Sequence, residues 1–143
     1  MSNNNSLTEL HTALIDACSG YDQAIEDTEQ SDLRELFERA RSLHGKAHEE
    51  IHRTLESRSV HPTDEGSFMS TVHKAVISTR SAIVGLDEGS LSSFASGEER
   101  IVQAYDKAIS ENEDDADVSA LLTRQKSALI ELVREMKSRS ARD

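Results

Sequence analysis

Proline and cysteine each occur once among 143 residues, tryptophan is absent, and the five remaining aromatics are two tyrosines and three phenylalanines. Strands and tight turns draw on aromatics, proline and glycine, and with six glycines the chain is poor in all three. A single cysteine forms no internal disulfide. No apolar run approaches the roughly 20 residues of a membrane span, and Met1–Leu10 has neither the basic start nor the apolar stretch of an export signal. Positive charge is also scarce: 16 basic against 27 acidic residues give a formal net charge of -11. That balance opposes binding to a phosphate backbone or an anionic membrane, so neither nucleic acid nor membrane is expected as a partner. The length suits one domain burying about 70% of its unfolded surface. An acidic, cytoplasmic, all-helical domain over 1–143 is the expectation.

Apolar residues recur at steps of three and four throughout. After a flexible polar lead-in over residues 1–6, Leu7, Leu10, Leu14, Cys18, Tyr21 and Ile25 mark a first helix reaching about Glu29. Ser6 is its expected cap, with Glu9 three residues on. Ser31 is the expected cap of a second helix, whose stripe is Leu33, Phe37, Ala40, His44, Ala47, Ile51 and Leu55, ending near Ser57. A loop holding Pro62 leads to a shorter helix from Ser67 to about Gly85, with Phe68, Val72, Val76 and Ile83. Ser90 opens the next long helix, carrying Leu91, Phe94, Ile101, Tyr105 and Ala108. Glu111–Asp117, with five acidic residues of seven, reads as a solvated turn or the start of the last helix, which carries Val118, Leu122, Leu129, Leu132 and Met136. Two antiparallel hairpins of long helices joined by a connection that contains the shorter helix make a four-helix bundle.

Four residues interrupt these stripes. At about 100° per residue, His44 lies about 40° from Ala40 and Glu98 about 60° from Ile101. Gln125 sits between Leu122 and Leu129, and the hairpin register sets Cys18 across from His44. One polar or sulfur group from each helix is how bundles hold metals, but di-iron bundles spend a Glu from each of two helices and a Glu-x-x-His from each of the other two. Here position 41 is arginine, position 128 is alanine, and only Glu98 is an inward carboxylate. A hydrogen-bonded polar layer of His44, Glu98 and Gln125 is therefore the plainer reading. A second group is His44, His48 and His52 at steps of four, where i and i+4 histidines can chelate. His48 lies about 80° and His52 about 120° from the stripe centre, so the row rolls outward. His48 and His52, joined by His11 of the neighbouring helix, form a surface candidate for a weakly held transition metal, and Glu49 of the Glu49-x-x-His52 match faces the opposite side.

Several local patterns carry a resemblance: Gly20-Tyr21, Asp32-Leu33 through Leu36-Phe37, the segment from Gly66 to Ala82, Gly97-Glu98-Glu99 followed by Ala104-Tyr105, and Arg124-Gln125. The chain resembles a ferritin-like four-helix-bundle family of uncharacterised bacterial proteins, a domain-of-unknown-function family. The resemblance implies a ferritin-like antiparallel bundle with an additional shorter helix between the second and third long helices. Members of that family often carry Asp-Gly-Glu-Glu-Gly-Tyr where this chain reads Asp16-Ala17-Cys18-Ser19-Gly20-Tyr21, so two glutamates are missing here. The expectation is a non-enzymatic bundle with a structural, stress-associated or protein-interaction role and no cofactor. The alternative is a bundle binding iron, manganese or zinc, or an oxidase-type bundle with a reduced ligand set. A homodimer or protein partner would dock through apolar helix surfaces such as Val72, Val76 and Ile83.

Overall fold

The computed structural model describes residues 4–62 and 90–140. Four long helices account for nearly all of them: α1 (Asn4–Asp27), α2 (Ser31–Ser57), α3 (Leu91–Glu111) and α4 (Ala116–Ser140). The additional helix expected over Ser67–Gly85 lies outside the described residues. No described helix is long and apolar enough to cross a membrane.

Each helix presents its apolar stripe to the others. α1 packs on α2 and on α3, while α4 packs on α3 and on α2, leaving α1/α4 and α2/α3 as the diagonals of the bundle. The core runs along the axis through Leu10, Leu14, Phe37, Ala40, Ile51, Tyr105, Leu122 and Leu129, all essentially inaccessible to water. Neighbouring helices are antiparallel, but α2 and α3 run the same way. Arg58, just after α2, lies against Asn4 at the start of α1, Asn112 after α3 and Asp115 before α4. The chain thus leaves α2 at one end of the bundle and enters α3 towards the other, about 30 Å away along the 21-residue α3.

The corner at Arg58 is built by local rules. α2 closes in a Schellman arrangement: the Val60 N–H donates to the Leu55 carbonyl at 2.8 Å and the Ser59 N–H to the Glu56 carbonyl at 2.9 Å. Ser59 takes the left-handed conformation usually given to glycine at this place, with φ of 63°. The reversal tucks Val60 onto the core and turns Arg58 inward. Its guanidinium donates to Asn4 Oδ1 at 3.0 Å, Asn112 Oδ1 at 2.9 Å and Asp115 Oδ2 at 2.7 Å. Asp115 also caps α4, its Oδ1 accepting the Val118 N–H at 3.1 Å. Arg58 first, and then that backbone N–H, hold the Asp115 carboxyl below its usual range.

Several expected ends differ. α1 begins at Asn4, so Ser6 is neither a cap nor part of a frayed lead-in; it is buried within the first helical turns. Ser31 is the first residue of α2 rather than its cap: Gln30, in extended conformation, precedes it and makes no side-chain capping bond. Ser90 likewise makes no capping bond to α3. The acidic stretch after α3 is a turn over Asn112–Asp115, but it is not wholly solvated, because Asn112 is fully buried and donates to the Ala108 carbonyl at 2.8 Å.

Candidate metal centre and the buried polar layer

The middle of the bundle holds a hydrogen-bonded pair on its diagonal. His44 of α2 and Glu98 of α3, both essentially inaccessible, meet with Nε2 and Oε2 2.6 Å apart. A carboxylate only accepts, so the His44 Nε2–H is the donor. Both residues point at the axis, which lets side chains from diagonally placed helices touch. Tyr21 lies over the His44 ring, with centroids 5.8 Å apart and planes at 18°, and stacks on Phe94 at 5.5 Å, while Phe37 closes on Phe94 at 4.7 Å. Burial, and then the Glu98 carboxylate beside it, push the Tyr21 hydroxyl well above its usual range. Three of the five aromatics therefore seal one buried histidine–glutamate pair.

Gln125 is buried, as its stripe position suggested, but it joins other partners. The Tyr105 hydroxyl donates to Gln125 Oε1 at 2.9 Å. The Gln125 amide N–H2 donates to Glu50 Oε1 at 3.1 Å and to the Ala47 carbonyl at 3.4 Å. Arg124 holds the other Glu50 oxygen at 2.7 Å. Partial burial of Glu50 opposes its charge, but the bonds from Arg124 and Gln125 outweigh this and keep its carboxyl below the usual range. Burial, with the Glu98 and Glu50 charges after it, raises the Tyr105 hydroxyl far above the ordinary phenol range. In place of one layer linking His44, Glu98 and Gln125, two polar groups lie in the core with Tyr105 beside both.

Replacing Gln125 with leucine removes Tyr105's acceptor and one of Glu50's donors while leaving His44–Glu98 intact. The substitution is expected to cost about 1–3 kcal/mol, the penalty of leaving a buried polar group unmade. Urea unfolding of Gln125→Leu against Gln125→Leu/Tyr105→Phe measures it, the double variant recovering part of the loss. Equal stability of Gln125→Leu and the parent would show that the network carries no net stabilisation.

Cys18 belongs to neither group. It is half-buried on α1, its thiol 3.9 Å from the Arg41 carbonyl, one turn from His44. Burial raises the thiol above its usual value, which makes it a poor nucleophile and a poor ligand.

The histidines nearer the Arg58 end come together. His11, expected at the surface, is fully buried on α1. Its Nε2 stands 3.0 Å from Nδ1 of His52, and its ring centroid lies 4.4 Å from that of His48 and 5.1 Å from that of His52. One ligand nitrogen from each of His11, His48 and His52 can be chosen so that all three lie within 4.8 Å of one another. Among the described residues this is the one group of three histidine, cysteine or carboxylate side chains so placed. Two nitrogens bound to the same zinc at a tetrahedral angle stand roughly 3.3 Å apart, so the His11–His52 pair already has the required spacing within a few tenths of an ångström. Two of the three come from one face of α2 at i and i+4, and α1 supplies the third from across the hairpin.

The outward roll expected of His48 and His52 is stopped by α1. A bundle helix touches two neighbours, so its covered sector is wider than a single stripe. Both side chains lie partly covered, with His52 23% exposed and bonded through Nε2 to Glu56 Oε1 at 2.7 Å. Glu50, Tyr105 and Glu56 are the site residues that spacing arguments missed. Only Glu56 had a local signal, its i, i+4 relation to His52.

No curated protein and no solved structure matches the chain. Residues 3–111 match a family described as a domain of unknown function, DUF2383. The match takes in α1, α2 and α3, and with them His11, His44, His48, His52 and Glu98; α4, with Gln125, lies beyond it. Covering well over half of the chain, the match makes this protein a member of the DUF2383 family.

Proposed function

We propose that this protein is a ferritin-like bundle that binds one borderline transition-metal ion, zinc above all, through His11, His48 and His52. The observation that carries the reading is the three-imidazole cluster with one ring fully buried, because burial fixes ring and ligand positions before a metal arrives. The bundle topology, with one long crossover between parallel second and third helices, is that of ferritin-like folds. The donor set is not theirs. Three imidazoles and no carboxylate within the group suit zinc, copper, nickel or cobalt and are poor ligands for manganese, a cation that favours oxygen. Of the metals weighed from sequence, zinc fits best.

The ion would join the first third of α1 to the second half of α2, a structural clip within one hairpin. Such a role is non-enzymatic, in line with the sequence expectation, and it leaves His44–Glu98 as a core pair rather than a metal site. Neither a substrate nor an electron-transfer partner is part of this reading.

Tag-free protein dialysed against zinc and then buffer should retain about one equivalent per chain, as a three-histidine site does. Each of His11→Ala, His48→Ala and His52→Ala should weaken retention roughly tenfold or more, while His44→Ala leaves stoichiometry unchanged. Elemental analysis with competition by a chromophoric chelator measures both. Parent protein that releases all its zinc to buffer, or a His44→Ala variant that alone loses it, would overturn the assignment.

A further inference from the structure

The geometry around His52 points to Glu56 as the positioning residue of this metal centre, and we infer that its carboxylate selects which nitrogen of His52 faces the ion. The inference rests on the three-histidine reading and adds a residue outside the ligand group.

The two nitrogens of His52 have different neighbours. Nε2 lies 2.7 Å from Glu56 Oε1, and Nδ1 lies 3.0 Å from His11 Nε2. A carboxylate accepts and does not donate, so His52 carries its proton on Nε2. In the neutral ring Nδ1 is then the bare nitrogen, and the His11 Nε2–H is the donor to it. The metal-free protein thus holds a directed chain: His11 Nε2–H to His52 Nδ1, and His52 Nε2–H to Glu56. The Nδ1 lone pair is the one aimed at His11, where the ion would sit. Histidine ligands commonly give their second N–H to a carboxylate, which fixes the tautomer and ring orientation and makes the ligand nitrogen more basic.

Two geometric points separate this role from that of a fourth ligand. Glu56 is not among the side chains whose ligand atoms gather within 4.8 Å. It also reaches the nitrogen of His52 on the side of the ring away from His11. Glu56 is half-exposed at the last turn of α2, so its replacement removes no packing from the core. When zinc enters, the proton on His11 Nε2 must leave that nitrogen, either to His11 Nδ1 or to solvent. Glu56 keeps the His52 proton where it is, so only one ring of that pair has to rearrange.

The experiment pairs zinc affinity with the ¹⁵N resonances of His52 in the parent, Glu56→Ala and Glu56→Gln proteins. In the metal-free parent, His52 should show a protonated Nε2 and a bare Nδ1. Glu56→Ala should mix the two tautomers and weaken zinc binding by about 10–100-fold. Glu56→Gln, whose amide oxygen still accepts the Nε2–H, should keep the tautomer and most of the affinity. Parent-like affinity and tautomer in Glu56→Ala would overturn the role of Glu56 and leave the three-histidine site standing. Glu56→Gln as weak as Glu56→Ala would overturn it too, by showing that the charge acts and the hydrogen bond does not. If the parent binds no zinc, the metal reading falls, and the tautomer of His52 across the three proteins still decides whether Glu56 sets it.

Discussion

His44→Leu alone is expected to lower the free energy of unfolding by about 3–5 kcal/mol, whereas His44→Leu/Glu98→Leu should be near parent stability or above it. The two differ in what is left behind. Glu98 retains 3% side-chain exposure, so loss of the imidazole leaves a carboxyl on the bundle axis with no water to replace its donor. Tyr21 beside it cannot make up the deficit, since one hydroxyl replaces neither the ring nor its bond at 2.6 Å. With both positions apolar, the stranded group is gone and the volume is largely kept. Equilibrium unfolding in urea of the parent, both single variants and the double variant gives the coupling energy directly. A single variant within about 1 kcal/mol of the parent would mean that Glu98 finds another partner, because an exposed pair is worth no more than that.

Zinc should raise stability by mass action. At free zinc about a hundredfold above its dissociation constant, the increment is about 2.7 kcal/mol if the unfolded chain does not bind. For a chain of this size that corresponds to a rise in melting temperature on the order of 5–10 °C. Chelation should reverse it, and His11→Ala should cut it by about half or more while also melting lower without metal, having lost a fully buried ring. Calorimetry with and without zinc measures both parts. An unchanged melting temperature in parent protein shown to hold zinc, or an undiminished rise in His11→Ala, would contradict the clip.

The helical periodicity told much about the core and less about what meets what. His44, Glu98 and Gln125 all stand on apolar stripes in the sequence, and all three are buried. Their pairing was not legible. Spacing gives the direction of a side chain around its own helix, but not the height at which another helix presents its own. That height decides that His44 meets Glu98 across the diagonal and that Gln125 meets Tyr105 along an edge. His11 shows a second limit. Leu7, His11 and Leu14 are as well spaced as Leu7, Leu10 and Leu14, and only the habit of assigning a histidine to the surface sets it aside. The helix starts failed for a third reason. Ser6 and Ser31 both precede apolar runs, yet the chain enters each helix earlier, and capping preference is worth too little to decide a boundary against packing.

The Arg58 corner gives the two hairpins unequal ends. There a guanidinium only 16% exposed reaches α1 and both sides of the α3–α4 turn. Towards the opposite end, an ion pair between α2 and α4, Arg39 with Glu135, is 53% and 36% exposed. Bulk ions screen the second far more than the first. Rising ionic strength would therefore act on this protein as on a pair of tongs, easing the jaws at Arg39 and leaving the pivot at Arg58 closed.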